Sequence, residues 1–146
     1  MPTPTETVQD FYAALSAGDI DRAMSLMTDD IEWITMLDFA IKDRGPQHVA
    51  EGMLIPLVAE WASFTLSPTE FIADGATVVS LGRFTCTHKA TGKHADAGYA
   101  HIWNVNDGKI ARFRQYIDTL AIAQARDGDT ELISGTGQAA VDVRAR

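Results

Sequence analysis

The sequence predicts an α+β domain, with helices laid on one face of a curved, mainly antiparallel sheet. Three observations carry that reading. Apolar residues recur at helical spacing in the first thirty positions, and runs of β-branched and aromatic residues separated by turn residues fill the second half. Two of those runs meet at Asp107-Gly108, the dipeptide that most favours a two-residue type I′ hairpin turn because both residues tolerate positive φ. Helices first and antiparallel strands after make this fold class. A chain of 146 residues, 46% hydrophobic, matches one domain with a sizeable core.

In chain order, Thr5 or Thr7 caps a first helix in which Val8, Phe11, Tyr12 and Leu15 form the apolar stripe, ending near Gly18. Asp19 caps a short second helix, whose Ala23, Leu26 and Met27 extend the stripe. Residues 31–36 read as the first strand, with Ile31, Trp33 and Thr35 on one face. Residues 37–45 have no strong period and form either a loop over a pocket mouth or a weak strand. Gly45-Pro46 opens the next helix, which should kink or restart at Pro56, since a proline there removes a hydrogen bond and clashes with the preceding turn. Strands follow at 64–72 and from 77 to 86 or a little beyond, with turns at Ala73-Asp74-Gly75 and Ala90-Thr91-Gly92. Residues 119–126 form a last short helix. Residues 1–126 are thus the expected domain, and the aperiodic, polar residues 127–146 a tail.

The hairpin around Asp107-Gly108 organises the sheet. With a two-residue turn and no irregularity, Asn104 faces Ala111, Ile102 faces Phe113 and Ala100 faces Gln115 on an inner face. Tyr99, His101, Trp103, Arg112, Arg114 and Tyr116 then make an outer face. Aromatics mixed with arginine are enriched in interfaces, so that outer face is the expected homodimer contact. A register shift would exchange faces and bring His101 inside, as the best proton carrier in the chain.

Charge and composition exclude several functions. A net charge of −8 and a pI near 4.8 oppose binding to nucleic acid or anionic membranes. The single cysteine, Cys86, forms no internal disulfide, and the N-terminus lacks the basic start and apolar run of a signal peptide. A cytoplasmic protein is expected. The histidines His48, His88, His94 and His101 lack metal-ligand spacing, and no glycine-rich phosphate loop is present, so neither metal nor cofactor is expected.

Residues 8–21 (VQDFYAALSAGDID), 27–33 (MTDDIEW), Gly45-Pro46, and Asp107-Gly-Lys-Ile followed by 113–119 (FRQYIDT) resemble the SnoaL-like, ketosteroid-isomerase-related branch of the nuclear transport factor 2-like (NTF2-like) superfamily. The resemblance spans residues 6 to about 125 and implies a cone-shaped barrel with a deep apolar pocket, usually dimeric through the outer sheet face. The superfamily includes isomerases, dehydratases, cyclases, epoxide hydrolases and non-catalytic members, so the fold leaves the reaction open. Laid along these motifs, the tyrosine of ketosteroid isomerase falls on Phe11, its base on Thr35 and its acid on Ala100, and that set is absent. Tyr12 would replace the tyrosine only on a rotated helix. The strand-end aspartate of limonene-type epoxide hydrolases falls on Gln115, with Arg83 near their arginine.

Candidate catalytic residues are therefore Asp118, Gln115, Arg83 and Asp38, with Phe11, Trp33, Trp61, Ile102 and Phe113 as the wall of a site for a small apolar molecule. Asp118 matches the acidic residue near the last strand of SnoaL-like cyclases, and Asp118-Thr119 equally suits a helix cap. Three functions stay open: an acid–base isomerase, cyclase, dehydratase or hydrolase; a non-catalytic binding pocket; and a dimeric interaction module.

Overall fold

The computed structural model describes residues 1–127. The expected polar tail, beyond its first residue, lies outside them. Helix α1 (Pro4–Ser16) begins one turn earlier than the stripe suggests, because Thr3 and Glu6 form a reciprocal capping box with Pro4 in the first turn. Thr7, one expected cap, is instead buried inside the helix. Helix α2 (Ile20–Ser25) is capped by Asp19, which accepts from the Arg22 amide.

Five strands follow the helical start: β1 (Met27–Thr35), β2 (Trp61–Asp74), β3 (Thr77–His88), β4 (His94–Asn106) and β5 (Lys109–Ile117). Their spatial order is β1-β5-β4-β3-β2, antiparallel except for the parallel pair of β1 and β5. Between β1 and β2, helix α3 (Pro46–Val49) runs through a π-helical turn (Ala50–Leu54) into helix α4 (Ile55–Glu60). The widened turn, in which the Ile55 amide reaches back to Ala50 O, falls immediately before Pro56, whose missing N–H cannot continue the α pattern. Strand β2 is longer than its apolar run and contains Pro68; as an edge strand with a bulge between Pro68 and Glu70 it tolerates the lost donor. Helix α5 (Thr119–Arg126) closes the described chain. Among the described residues no helix is long and apolar enough to cross a membrane.

The hairpin turn is type I′ in character, with Asp107 and Gly108 at φ 50° and 73°. Beyond it the pairing departs from simple counting. Val105 pairs with Ile110 but Asn104 pairs with Arg112, so Ala111 is an extra residue, a β-bulge. From there Trp103 faces Phe113, His101 faces Gln115 and Tyr99 faces Ile117. From Phe113 on, the expected inner face of β5 therefore stands, Ile110 takes the inward place expected of Ala111, and the inner face of β4 is exchanged. Tyr99, His101 and Trp103 are 5%, 2% and 1% exposed and belong to the core, while Ala100 and Ile102 join Arg112, Arg114 and Tyr116 outside.

Inside the curve, α1 lays Val8, Phe11 and Tyr12 against the sheet. Rings dominate the packing: Phe11 meets Trp33 and Trp103, and Phe113 lies 3.9 Å from Trp33 and 4.5 Å from Trp103 by ring centroids. Offset and edge-on contacts of this kind add to the apolar area they bury.

Candidate functional site

The core does not close completely. Between α1, the helical segment 46–60 and the sheet lies a narrow cavity of about 40 Å³. Its walls include Phe11, Trp33, Phe39, Phe84, Trp103 and Phe113, and its polar side chains are Tyr12, His101 and Gln115. Among the described residues no carboxylate, lysine or arginine lines it.

The polar residues form one chain across the sheet. Thr35 Oγ1, at the end of β1, donates to Gln115 Oε1 on β5 (2.5 Å), and Gln115 Nε2 donates to His101 Nε2 on β4 (3.2 Å). With the amide so oriented, the network assigns His101 the Nδ1–H tautomer, which donates to the Tyr12 hydroxyl (2.6 Å). Tyr12 in turn donates to Ser80 Oγ on β3 (2.6 Å), which also accepts from Trp103 Nε1 (3.0 Å). Neutral groups joined in this way can be buried, whereas an unpartnered polar group there would be costly. Tyr99 stacks on the His101 ring at 3.9 Å. Its phenol occupies space that only a glycine at position 82 leaves, since a Cβ there would stand 2.5 Å from the Tyr99 hydroxyl.

Burial sets the chemistry of this chain. It pushes the His101 pKa from about 6.5 down to about 3, so the ring is neutral at physiological pH. It also raises the Tyr12 phenol far above its ordinary value, the Ser80 hydrogen bond opposing only in part. Tyr12 is thus a hydrogen-bonding group rather than an anion.

The expected site residues divide. Phe11, Trp33, Phe113 and Gln115 line the cavity. Trp61 is buried elsewhere, edge-on to His88 and Phe84, because β2 starts directly at the end of α4. Ile102 is turned outward by the bulge. Asp118 is the N-cap of α5, its Oδ1 accepting from the Ala121 amide at 3.1 Å, and so is held away from any substrate. Arg83 is on the outer face, bound to Asp96 at 2.9 Å. Asp38 sits at the rim, 2.6 Å from Arg126, whose hydrogen bond and charge hold its carboxyl below the usual range.

Arg126 belongs to a second, charged cluster. Its guanidinium grips both oxygens of Glu60 (2.6 and 2.9 Å), and Glu60 Oε2 lies 3.0 Å from His88 Nε2. Burial acts to raise the Glu60 pKa, but the bonds from Arg126 and His88 outweigh it and hold the carboxyl below its ordinary value. Among the described residues no group of His, Cys, Asp and Glu is arranged to hold a metal ion.

Sequence reasoning missed Tyr12, Ser80 and Trp103. Helix α1 buries both Phe11 and Tyr12, so no rotation is needed to bring the tyrosine in. A signal for the rest was present. Ile110 and Phe113 are three apart, both inward, and only a bulge between them matches the aromatic series Tyr99, His101, Trp103 on β4.

Solved structures of similar chains fit this geometry. An NTF2-like protein of Burkholderia thailandensis E264 is 34% identical, covering 87% of this chain and 99% of its own, with a TM-score of 0.79. An NTF2-like protein of Burkholderia xenovorans LB400 is 30% identical over 85% of this chain and 95% of its own, TM-score 0.72. TerC, co-crystallised with polyporic acid, is 28% identical over 84% of this chain and 98% of its own, also at 0.72. No protein of curated function matches. The family model of the SnoaL-like domain matches residues 8–113, and with the NTF2-like architecture around it this chain belongs to the SnoaL-like domain family.

Proposed function

We propose that this chain binds a small molecule, and that its cavity takes a neutral, flat, largely apolar compound with a hydrogen-bonding oxygen at one end. The observation that carries this is a cavity walled by aromatic rings whose polar side is a neutral chain, with no charged side chain in its lining among the described residues. An ionised ligand would leave water there without a counter-charge, whereas a ring system gains the same stacking that the walls make with each other. That TerC, a similar chain, was crystallised with polyporic acid supports a small-molecule ligand.

Binding is favoured over acid–base catalysis. Asp118 is engaged in a cap, Asp38 in an ion pair, and both nitrogens of His101 in the internal chain. A general base must reach the proton it removes, and the described lining holds no carboxylate to do so. Titration calorimetry with 2-naphthol and 2-naphthoate at pH 7 tests the reading. Naphthol should bind at one site per chain, and naphthoate at least tenfold more weakly; equal affinity for the two, or none for either, contradicts it.

A second reading, a cytoplasmic homodimer, concerns the outer face. The register aligns Ile34, Arg114, Ile102, Val79 and Ile72 in one row across all five strands, and Arg114 Nε is buried there with no hydrogen-bond partner among the described residues. A second copy would cover the apolar row and offer an acceptor to Arg114. Sedimentation at micromolar concentration should give a dimer that Ile102→Glu dissociates; a monomeric wild type removes the reading.

A further inference from the structure

Among the described residues, those lining the cavity all lie in helices or strands except Leu37 and Phe39. Both belong to the segment between β1 and α3 that covers the rim. Asp38, between them, points outward with its side chain 80% exposed and receives Arg126 Nη1 at 2.6 Å. Neighbouring residues thus alternate between wall and solvent, as an extended strap across a mouth would.

The two ends of this contact are anchored very differently. Arg126 is a fixed post: Glu60 takes its Nε and Nη2, and the end of α5 that carries it is tied down where Thr91 Oγ1 donates to Ala125 O (2.6 Å) and Lys93 Nζ to Asp127 O (2.8 Å). The strap has less. Its base is pinned by the Leu37 amide on Thr35 Oγ1 (3.0 Å), and its middle rests on the π-helical turn at Gly52, where a Cβ would stand 2.6 Å from Ala40 O. Asp38 is its tie to the post, and an ion pair whose carboxylate is so exposed is weak and screened by salt.

We infer that residues 37–41 are the door of the cavity and that the Asp38–Arg126 ion pair is its catch, so that ligand exchange proceeds by releasing one surface ion pair while helices and sheet stay in place. The inference rests on the cavity being a ligand site, but the catch can be tested without a ligand. Opening swings Leu37 and Phe39 out of the wall, and the fork of Arg126 on Glu60 keeps the post in position for reclosure.

The experiment compares wild type, Asp38→Ala and, as a control that breaks an exposed ion pair elsewhere, Asp96→Ala. Hydrogen–deuterium exchange of peptides covering 37–44 is measured without ligand, and stopped-flow kinetics with the neutral fluorophore N-phenyl-1-naphthylamine. Asp38→Ala should speed exchange in 37–44 and raise both association and dissociation rates about two- to fivefold, the range an exposed pair supports, with Kd nearly unchanged. Salt at 0.5 M should move the wild type toward those rates and leave Asp38→Ala where it is, and Asp96→Ala should resemble the wild type. Equal exchange in 37–44 for wild type and Asp38→Ala overturns the catch. If the fluorophore fails to bind the wild type, the cavity reading falls instead, and the exchange comparison still decides whether Asp38 holds the segment.

Discussion

His101 and His88 lie on neighbouring strands and show two ways of placing an imidazole. His101, 2% exposed, has neutral hydrogen-bond partners, a phenol and an amide, among the described residues, and burial keeps it uncharged. His88, 9% exposed, faces a carboxylate that is itself held by Arg126 at the rim. The depth of each site decides which chemistry it can hold. Deep in the cone, where a charge would lack solvent, the chain uses hydrogen bonds between neutral groups; at the rim, where water still screens, it uses charge to fasten α4, α5 and the strap together.

The strongest way to break the inner region is to remove its central ring. Trp103→Ala deletes a fully buried indole and should destabilise the fold by about 3–5 kcal/mol in urea unfolding. A loss below about 1 kcal/mol would return Trp103 to the surface role that simple hairpin counting suggests. Tyr12→Phe strips the hydroxyl between His101 and Ser80 with little change of shape, and should cost about 1–3 kcal/mol by leaving buried partners unsatisfied. Substituting an exposed member of the rim pair, Asp38→Ala, should move unfolding by at most about 1 kcal/mol.

A pH series sharpens the comparison. The folded pKa of His101 lies below its unfolded value, so between about 6.5 and about 3 the unfolded chain binds the extra proton. Its contribution is complete above 6.5 and is lost as pH falls, by about 1 kcal/mol between pH 6.5 and 5.5. In His101→Gln that slope should vanish, measured as urea midpoints at the two pH values. The smallest effect belongs to Asp118→Asn. Asparagine caps as well as aspartate, so stability should change by no more than a few tenths of a kcal/mol and 2-naphthol affinity not at all. A large loss of either would restore Asp118 to a functional role.

The sequence made the fold legible because helix stripes, caps and turn residues all agreed: Asp19, Gly45-Pro46, Asp107-Gly108 and Asp118 stand where local chemistry places them. Part of the candidate site was legible on the same basis, since Phe11, Trp33, Phe113 and Gln115, four of the nine expected residues, line the cavity and follow from strand and helix periodicity. The inward aromatics of β4 depended on one residue. The bulge at Ala111 is marked only by the three-residue spacing of Ile110 and Phe113, and because strand faces alternate at every position it moved Tyr99, His101 and Trp103 from outside to inside at once. The pairing of Asp38 with Arg126 spans 88 positions and no local pattern encodes it.

Imidazole nitrogen NMR of His101 with and without 2-naphthol tests most directly whether the neutral chain is the polar side of a ligand site. His101 should stay neutral in a single tautomer from pH 8 down to pH 4.5, and its ring signals should shift on saturation with 2-naphthol. A His101 that protonates near pH 6.5, or whose signals ignore bound naphthol, would contradict it.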